Sequence, residues 1–388
     1  MSVNTMEFKD AAAILNNIRK QVTGETAIAP ANTAEFVSVA TTLLQAGYDP
    51  VLNAITQMVS RTIFSIRPYN RKFAGIKMND EQWGAIVRKL SIADKDWDND
   101  VRYDLVDSQS VDMYKVNKPN ILQTNFYGMN SFDKLITIFR DQLDNAFSGP
   151  NEFGRFMAMV TQNVSDMIEQ CHESIARMTI ANFIGGKVAA TNGVIHLLTE
   201  YNSETGSSET ATSIMSPAVF GNFMKWMYAR VATLTGLMTE RSQEFQINVI
   251  GKEINRHTPY SDQKVYLYAP LLNGMKARVL ADAFHPEFLD YADVEAVNYW
   301  QSIKTPMQIK VEASYMDTDG SIVTADAATI DKIAGVIFDR EALGYTTVHR
   351  WSATSPFNIV GGYWNQNYVF DERWYNDFTE KAVVLLLD

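Results

Sequence analysis

Apolar residues in the first sixty positions recur with the spacing of helices. From Met6 to Val22 they approximate one helical face. Asn32 or Thr33 is placed to cap a second helix that ends at Gly47. Asp49-Pro50 then supplies a cap and a first residue for a third helix. Each predicted helix is amphipathic, so it needs a neighbouring surface to cover its apolar face.

The pattern changes over Thr62–Gly128, where short strand-like stretches alternate with polar segments. This pattern predicts a long extended excursion that contains a hairpin. Helical spacing returns in Ser131–Phe147, and Ser131 is the predicted cap of that helix.

The most regular stretch predicts one long helix over residues 150–184. Pro150 stands at the expected first position, and Gly185 and Gly186 stand at the expected end. The apolar residues follow spacings of three, four and four, close to the natural helical period. At 1.5 Å per residue the helix would span roughly 50 Å, more than a compact domain ordinarily needs. We therefore predict a helix that acts as the spine of the fold.

Strand patterns dominate the remainder of the chain. We predict a strand at Val194–Tyr201, a flexible polar loop over residues 202–212 and a helix over residues 217–234 that Ser216 caps. Asp317–Gly320 predicts a hairpin turn, because Asp and Gly tolerate positive φ angles. No repeat or flexible linker divides the sequence. The predicted fold class is α+β, with a C-terminal region that is mostly sheet and with interleaved lobes.

Composition is that of a globular protein with a sizeable core. The chain has 388 residues, of which 46% are hydrophobic and 20% are charged. This length exceeds the ~100–200 residues of a typical domain and predicts two lobes or one body with large insertions. The single cysteine excludes an intramolecular disulfide and zinc sites built on several thiolates.

Charge and hydropathy limit the kinds of partner that the protein is expected to bind. A net charge of −11 argues against tight nucleic-acid binding, which depends on clustered Lys and Arg. The N-terminus lacks the pattern of a secretory signal, and nowhere do ~18 apolar residues run together as a membrane span requires. We expect a protein that is made and used in the cytoplasm, with no membrane partner.

Catalytic and metal-binding patterns are weak. The five histidines form no pair spaced for two ligands on one helical face. Cys171 stands beside His172, but neighbours on a helix point about 100° apart and do not form a nucleophile–base pair. Cys171 also lies on the apolar stripe of the predicted spine, which favours packing. We predict no enzymatic activity, no catalytic residue, no metal site and no cofactor.

The other polar and aromatic clusters have simple structural interpretations. Asp317–Gly320 lacks the later ligands of a calcium loop, and Asp94–Asp100 is more typical of a solvated loop than of a cation site. The sequence contains no phosphate-binding glycine loop and no nucleophile elbow. For the basic pairs Arg71-Lys72 and Arg88-Lys89, solvent exposure is favoured over a subunit contact. The aromatic-rich end over residues 351–375 favours packing in a sheet over a ligand cleft.

The order of these elements resembles the Hong Kong 97-type fold of tailed-bacteriophage major capsid proteins. The resemblance is strengthened at the C-terminus, where FDREALG is followed by an aromatic strand and a final apolar strand, AVVLLLD. It implies four regions, which are the N-terminal arm, the extended E-loop, the peripheral P-domain with its spine helix, and the axial A-domain. They would cover residues 1–60 for the arm, 61–130 for the E-loop, 131–193 and 302–388 for the P-domain with the spine at 150–184, and 194–301 for the A-domain.

The resemblance also implies a function without catalysis. Copies of the chain would assemble as hexamers and pentamers into an icosahedral or prolate head shell, with the E-loop and arm over neighbouring subunits. The shell would enclose double-stranded DNA without sequence-specific binding, in a virion that is assembled in the host cytoplasm. Scaffold, portal and decoration proteins are the other partners that it implies. Some relatives crosslink Lys to Asn, but no motif in this chain aligns such a pair.

Three other functions stay open on the sequence alone. A bacterial nanocompartment shell of the encapsulin type would share the fold and enclose protein cargo in place of DNA. A soluble hydrolase would use Cys171 or a carboxylate site, and would need a cleft with a partnered catalytic group. A portal or tail component would form a single ring instead of a closed shell.

Overall fold

The computed structural model describes residues 8–24, 30–61, 72–78, 86–94, 105–114, 116, 118–127, 129–282 and 293–388. The helices are α1 (Phe8–Thr23), α2 (Thr33–Ala46), α3 (Tyr48–Arg61), α4 (Arg140–Ala146), α5 (Pro150–Ala189), α6 (Leu197–Thr205), α7 (Pro217–Thr239) and α8 (Ala269–Asp282). The strands are β1 (Ile86–Ile92), β2 (Ile121–Tyr127), β3 (Asn130–Phe139), β4 (Val194–His196), β5 (Gln263–Tyr268), β6 (Asp293–Val297), β7 (Ile309–Val311), β8 (Ser314–Met316), β9 (Ile322–Thr324), β10 (Ala328–Ile330), β11 (Ile333–Asp339), β12 (Leu343–Thr354), β13 (Tyr363–Asn376) and β14 (Ala382–Leu386).

The long helix α5 begins at Pro150 as predicted, but it does not end at residue 184. It has 40 residues and continues through Gly185 and Gly186 to Ala189. A methyl group on Gly185 would lie 2.6 Å from the Val311 side chain, and one on Gly186 would lie 2.5 Å from the Phe378 ring. The glycines therefore serve close packing against the helix, and the prediction that they end it was wrong.

A three-stranded antiparallel sheet, in the order β12-β13-β3, packs on the helices of the N-terminal half. Ile138, Trp364 and Tyr368 on its inner face join one hydrophobic core with residues of α1, α2, α3 and α5. The helices predicted as amphipathic thus cover their apolar faces on this sheet and on α5.

A five-stranded sheet, in the order β4-β14-β11-β5-β6, forms the centre of the second half. The last strand, β14, lies between β4, to which it is parallel, and β11, to which it is antiparallel. Val384 and Leu386 face one hydrophobic core, while Val383 and Leu385 face another on the opposite side. Burial on both faces explains why this strand is apolar at every position.

Two sequence predictions of secondary structure were wrong in type. Ser131–Phe147 contains nearly all of strand β3 followed by the short helix α4, because pairing with β13 overrides the helical spacing. Val194–Tyr201 is a strand only as far as His196. Its apolar residues Leu197, Leu198 and Tyr201 belong to helix α6 and are buried. Helix α6 extends to Thr205, so it also includes the start of the loop predicted over residues 202–212.

Other local predictions are confirmed. Asn32 caps α2, since its Oδ1 accepts a hydrogen bond from the Glu35 backbone N–H at 2.9 Å. Strands β8 and β9 pair across the predicted turn, where Gly320 has φ of 83°. Helix α7 begins after Ser216 as predicted, but the Ser216 side chain makes no capping hydrogen bond, and the helix runs to Thr239, beyond the predicted end at residue 234. Of the helices within the described residues, none is long and apolar enough to cross a membrane.

Candidate functional site

The extended excursion of the sequence contains a two-stranded ribbon, β1 paired with β2, which lies on the body of the protein. One face of the ribbon is half-buried. Leu122 packs against the core beneath it, and the Phe126 ring lies 5.0 Å from the Tyr375 ring. The hairpin predicted for this region is therefore confirmed, and one of its faces packs on the body of the protein.

Lys89 is the main polar anchor of the ribbon. Its Nζ lies 3.0 Å from Asp377 Oδ2 and 3.2 Å from Glu341 Oε2, and it also pairs with Glu380. Burial alone would lower the pKa of Lys89, but the charges of Asp377 and Glu380 outweigh it and raise the pKa above its ordinary value. Burial raises the pKa of Glu380 to about 7, although Lys89 and Arg256 act against this shift.

A second set of contacts fixes the far end of the ribbon. The Asp94 backbone N–H donates to the Glu253 carbonyl at 3.0 Å, and Asp94 Oδ2 accepts from the Asn255 N–H at 2.6 Å. Arg241 forms an ion pair with the same carboxylate. The ribbon is thus held at two places along its length, which sets its direction relative to the body.

The outward face of the ribbon is exposed and carries apolar residues beside the polar Arg88, Gln123 and Asn125. Leu90, Ile92 and Ile121 are 62%, 66% and 48% exposed, and Ile92 stands directly opposite Ile121 in the register. The chain between the two strands adds further large exposed apolar residues, namely Leu105, Val106, Val111, Met113, Tyr114 and Val116. A concentration of exposed large apolar side chains in one region is typical of a surface that binds a partner.

The candidate nucleophile is not activated. Burial and then the charge of Glu372 raise the pKa of the Cys171 thiol to about 11, so it stays protonated at neutral pH. The neighbouring His172 is buried and places Nε2 2.8 Å from Glu372 Oε1. Thr347 Oγ1 donates to the same carboxylate at 3.0 Å. This group connects α5 to the three-stranded sheet and has the arrangement of a packing contact.

The remaining candidates are structural where they are described. Asp317 and Asp319 accept hydrogen bonds from backbone N–H groups of their own turn, at 2.7 Å in each case. Of the acidic cluster only Asp94 falls within the described residues, and residues 95–100 lie outside them. Across the described part of the chain, no group of three or more His, Cys, Asp or Glu is placed to hold a metal ion.

The basic and aromatic residues differ in how well their predicted exposure agrees with the structure. Arg88 is exposed as expected, whereas Lys89 is not, because it pairs with carboxylates of its own body. Arg71 lies outside the described residues. Trp364 packs in the sheet as predicted, but Trp351 is 46% exposed. No local pattern indicates the cluster of carboxylates around Lys89, since these partners lie some 250–290 positions away in the chain.

Comparison with known proteins indicates the family to which the chain belongs. A family model described as Phi29-like phage major capsid protein matches residues 15–386. One similar fold is in the capsid structure of Staphylococcus phage Andhra, at 11% identity and a TM-score of 0.56, over 84% of this chain and 86% of that one. Another is in the structure of the head fiber and inner core protein gp22 of native bacteriophage P68, at 11% identity and a TM-score of 0.55, over 84% and 87%.

No curated protein sequence matches the chain. The structural likenesses show that this mixed helix-and-sheet fold occurs in phage particles, and the family model spans nearly the whole sequence. The chain therefore belongs to the Phi29-like phage major capsid protein family and is a shell protein of a phage head.

Proposed function

We propose that the protein is a Hong Kong 97-type capsid subunit whose ribbon and loop bind a neighbouring copy. The arm would be residues 1–60 and the E-loop 61–130. The P-domain would be 131–193 with 302–388, and the A-domain 194–301. The ribbon β1–β2 lies within the proposed E-loop, and α5 supports the proposed P-domain. Hexamers and pentamers of the chain would close the head shell.

The exposed apolar face of the ribbon carries this proposal. Complete burial of one Leu or Ile side chain contributes about 1.5–3 kcal/mol, so the contact of Leu90, Ile92 and Ile121 with a neighbour is a substantial gain. The ribbon is held on the body at Lys89 and at Asp94, which reduces the ordering entropy that association must overcome. A surface that is apolar, extended and already oriented is suited to a neighbouring subunit.

Charge supports a role as a container. The net charge of −11 would keep the wall from adhering to double-stranded DNA, so the genome is enclosed without sequence-specific binding. The virion is then the site of action, after assembly in the host cytoplasm with scaffold, portal and decoration proteins as further partners. The raised pKa of Cys171 argues against a cysteine hydrolase, and we propose that the protein has no enzymatic activity.

The test combines electron microscopy with a variant of the outward face. The wild-type chain should form closed shells tens of nanometres wide when it is expressed with neighbouring structural genes. Replacement of Leu90, Ile92 and Ile121 by Ser should leave a folded protein that does not form shells. Asn125→Ser, a polar change on the same face, is the matched control and should assemble normally.

Two results would contradict the proposal. Wild-type chains that stay monomeric with and without the neighbouring gene products would argue against a shell. Normal shells from the triple variant would show that the ribbon face is not the contact. DNA inside the particles would separate a phage head from a nanocompartment, which would contain protein cargo.

A further inference from the structure

The outer end of the three-stranded sheet carries an exposed apolar tip. Strands β12 and β13 are joined there by a turn in which Ile359 is 86% exposed and Val360 is 99% exposed. Asn358 Oδ1 accepts hydrogen bonds from the backbone N–H groups of Val360, at 3.1 Å, and Gly361, at 2.9 Å. The turn is closed by Gly362, whose N–H donates to the Asn358 carbonyl at 2.8 Å and whose φ is 65°. The two aliphatic side chains are therefore presented by an ordered turn.

A small aromatic pocket lies beside this tip. It has a volume of about 270 Å³ and is lined chiefly by Tyr48, Pro50, Arg140, Phe357 and Trp364. Cavities of ~150 Å³ are large enough to bind benzene, so this one has room for branched aliphatic side chains. Ile359 and Val360 are too exposed to occupy the pocket of their own chain.

The walls of the pocket are held in place before any partner arrives. The Tyr48 and Trp364 rings are stacked with centroids 5.7 Å apart, and the Phe357 ring lies 4.5 Å from the Trp364 ring. Trp364 Nε1–H donates to Asp49 Oδ1 at 2.6 Å. Because these groups are already ordered, a ligand that enters the pocket loses little affinity to rearrangement.

Charge favours a second copy of the chain as the occupant. No charged residue occurs from Trp351 to Phe370, although 20% of the whole chain is charged. Copies with a net charge of −11 repel one another, and an uncharged surface is where they approach at the lowest electrostatic cost. The tip falls in the middle of this uncharged segment, and two aromatic walls of the pocket belong to it. The two charged residues at the pocket, Arg140 and Asp49, have opposite signs and leave it without a net charge.

We propose that Ile359 and Val360 of one copy insert into the pocket formed by Tyr48, Phe357 and Trp364 of a second copy. This inference rests on the proposed function as a shell subunit. The protruding tip and the receiving pocket are different surfaces of the same chain, so the contact is heterologous. Repetition of a heterologous contact closes a ring when the rotation between copies allows it.

The test is a crosslink between two different chains in a Cys171→Ala background. One chain carries Val360→Cys at the tip, and the other carries Pro50→Cys at the rim of the pocket. After co-assembly and mild oxidation, a covalent dimer should appear on a non-reducing gel. Val360→Cys paired with Ile303→Cys, an exposed position outside the tip and the pocket, is the control that should give no dimer.

A second measurement uses assembly itself. Replacement of Ile359 and Val360 by Ser should raise the protein concentration needed for shells by about tenfold or more, while Ile303→Ser should leave it unchanged. Mixed shells without the tip-to-pocket dimer, or shells from the tip variant at the wild-type concentration, would overturn this contact and leave the shell proposal intact. Failure of the wild-type chain to form shells would overturn both.

Discussion

The spine helix α5 and the ribbon β1–β2 use similar apolar residues for opposite purposes. Along α5, Phe153, Ile180 and Phe183 are buried within the chain's own cores. On the ribbon, Leu90 and Ile92 remain in solvent although the opposite face of the same strands is docked. The first set stabilises one fold, and the second is available for association. Burial within the chain, not residue type, separates the surface that stabilises the fold from the surface that we propose for assembly.

The lysines of the two regions show the same contrast. Lys89 on the ribbon stays charged among carboxylates. Lys187 in the body is fully buried, and its Nζ donates to the Phe245 carbonyl at 2.7 Å and to Asn192 Oδ1 at 2.9 Å. Burial lowers the pKa of Lys187 to about 7, although the charge of Asp377 acts against this. The amino group of Lys187 is thus satisfied by neutral acceptors, and that of Lys89 by carboxylates.

The largest expected effect on the body comes from Glu372→Ala. The change removes the carboxylate that contacts His172 and Thr347 in a fully buried place between α5 and the sheet. Breaking such a pair leaves its partner unsatisfied and should lower the free energy of unfolding by roughly 3–5 kcal/mol. Chemical denaturation measures this, with the exposed Glu312→Gln as control. A loss below about 1 kcal/mol would contradict the assigned contact.

Lys187 predicts a pH dependence that the ribbon lysine does not share. Between pH 7 and 10.5 the unfolded chain holds a proton that the folded chain has lost, so the free energy of unfolding should rise with pH. Lys187→Met should remove about 2–3 kcal/mol of that rise between pH 7 and pH 9. Denaturation curves of both proteins at the two pH values measure it. Equal slopes would mean that Lys187 is charged in the fold.

Gly186→Ala tests the close packing of α5 with a smaller change. The new methyl group would meet the Phe378 ring, and overpacking should cost about 1–3 kcal/mol in spite of the better helix propensity of Ala. Gly221→Ala in α7 is the matched control, because nothing lies within 4 Å of its added Cβ. The control should be neutral or slightly stabilising, as judged by melting temperature. Equal effects at both positions would argue against close packing.

The smallest effect should come from Asp94→Ala on the ribbon. Its contacts with Arg241 and Asn255 are largely open to solvent, so the free energy of unfolding should fall by only ~0.5–1 kcal/mol. The local effect should be clearer, with faster amide hydrogen exchange over β1 and unchanged exchange in α5. Faster exchange throughout the body would contradict the prediction that Asp94 stabilises the ribbon and not the body.

Local patterns of the sequence were sufficient for the elements whose neighbours are close in the chain. The cap at Asn32, the turn before Gly320 and the start of α5 at Pro150 depend on a few adjacent residues, and each is confirmed. The general order of helices, ribbon and closing strands followed from such signals. They were also enough to predict the α+β class, which agrees with the observed mixture of helices and sheets.

The errors arose where distant residues decide. Gly186 has the residue type of a helix end, but Phe378, almost two hundred positions later, packs on it. Residues 131–139 have helical spacing, yet they pair with β13, which is more than two hundred positions away. The Lys89 cluster has the same origin. Sequence spacing contains no record of such pairings, so neither the end of α5 nor the anchor of the ribbon was predictable.

The interior position of β14 in the five-stranded sheet affects when the sheet can be completed during synthesis. Its neighbours β4 and β11 cannot be joined until residues 382–386 have left the ribosome, long after β4 has emerged. At 5–20 residues per second, the interval from β4 to β14 is roughly 10–40 s. During that interval β4 is not joined to the sheet, and one side of β11 lacks its neighbouring strand. We therefore expect copies of the chain to associate after β14 has been synthesised, and not as nascent chains on one messenger.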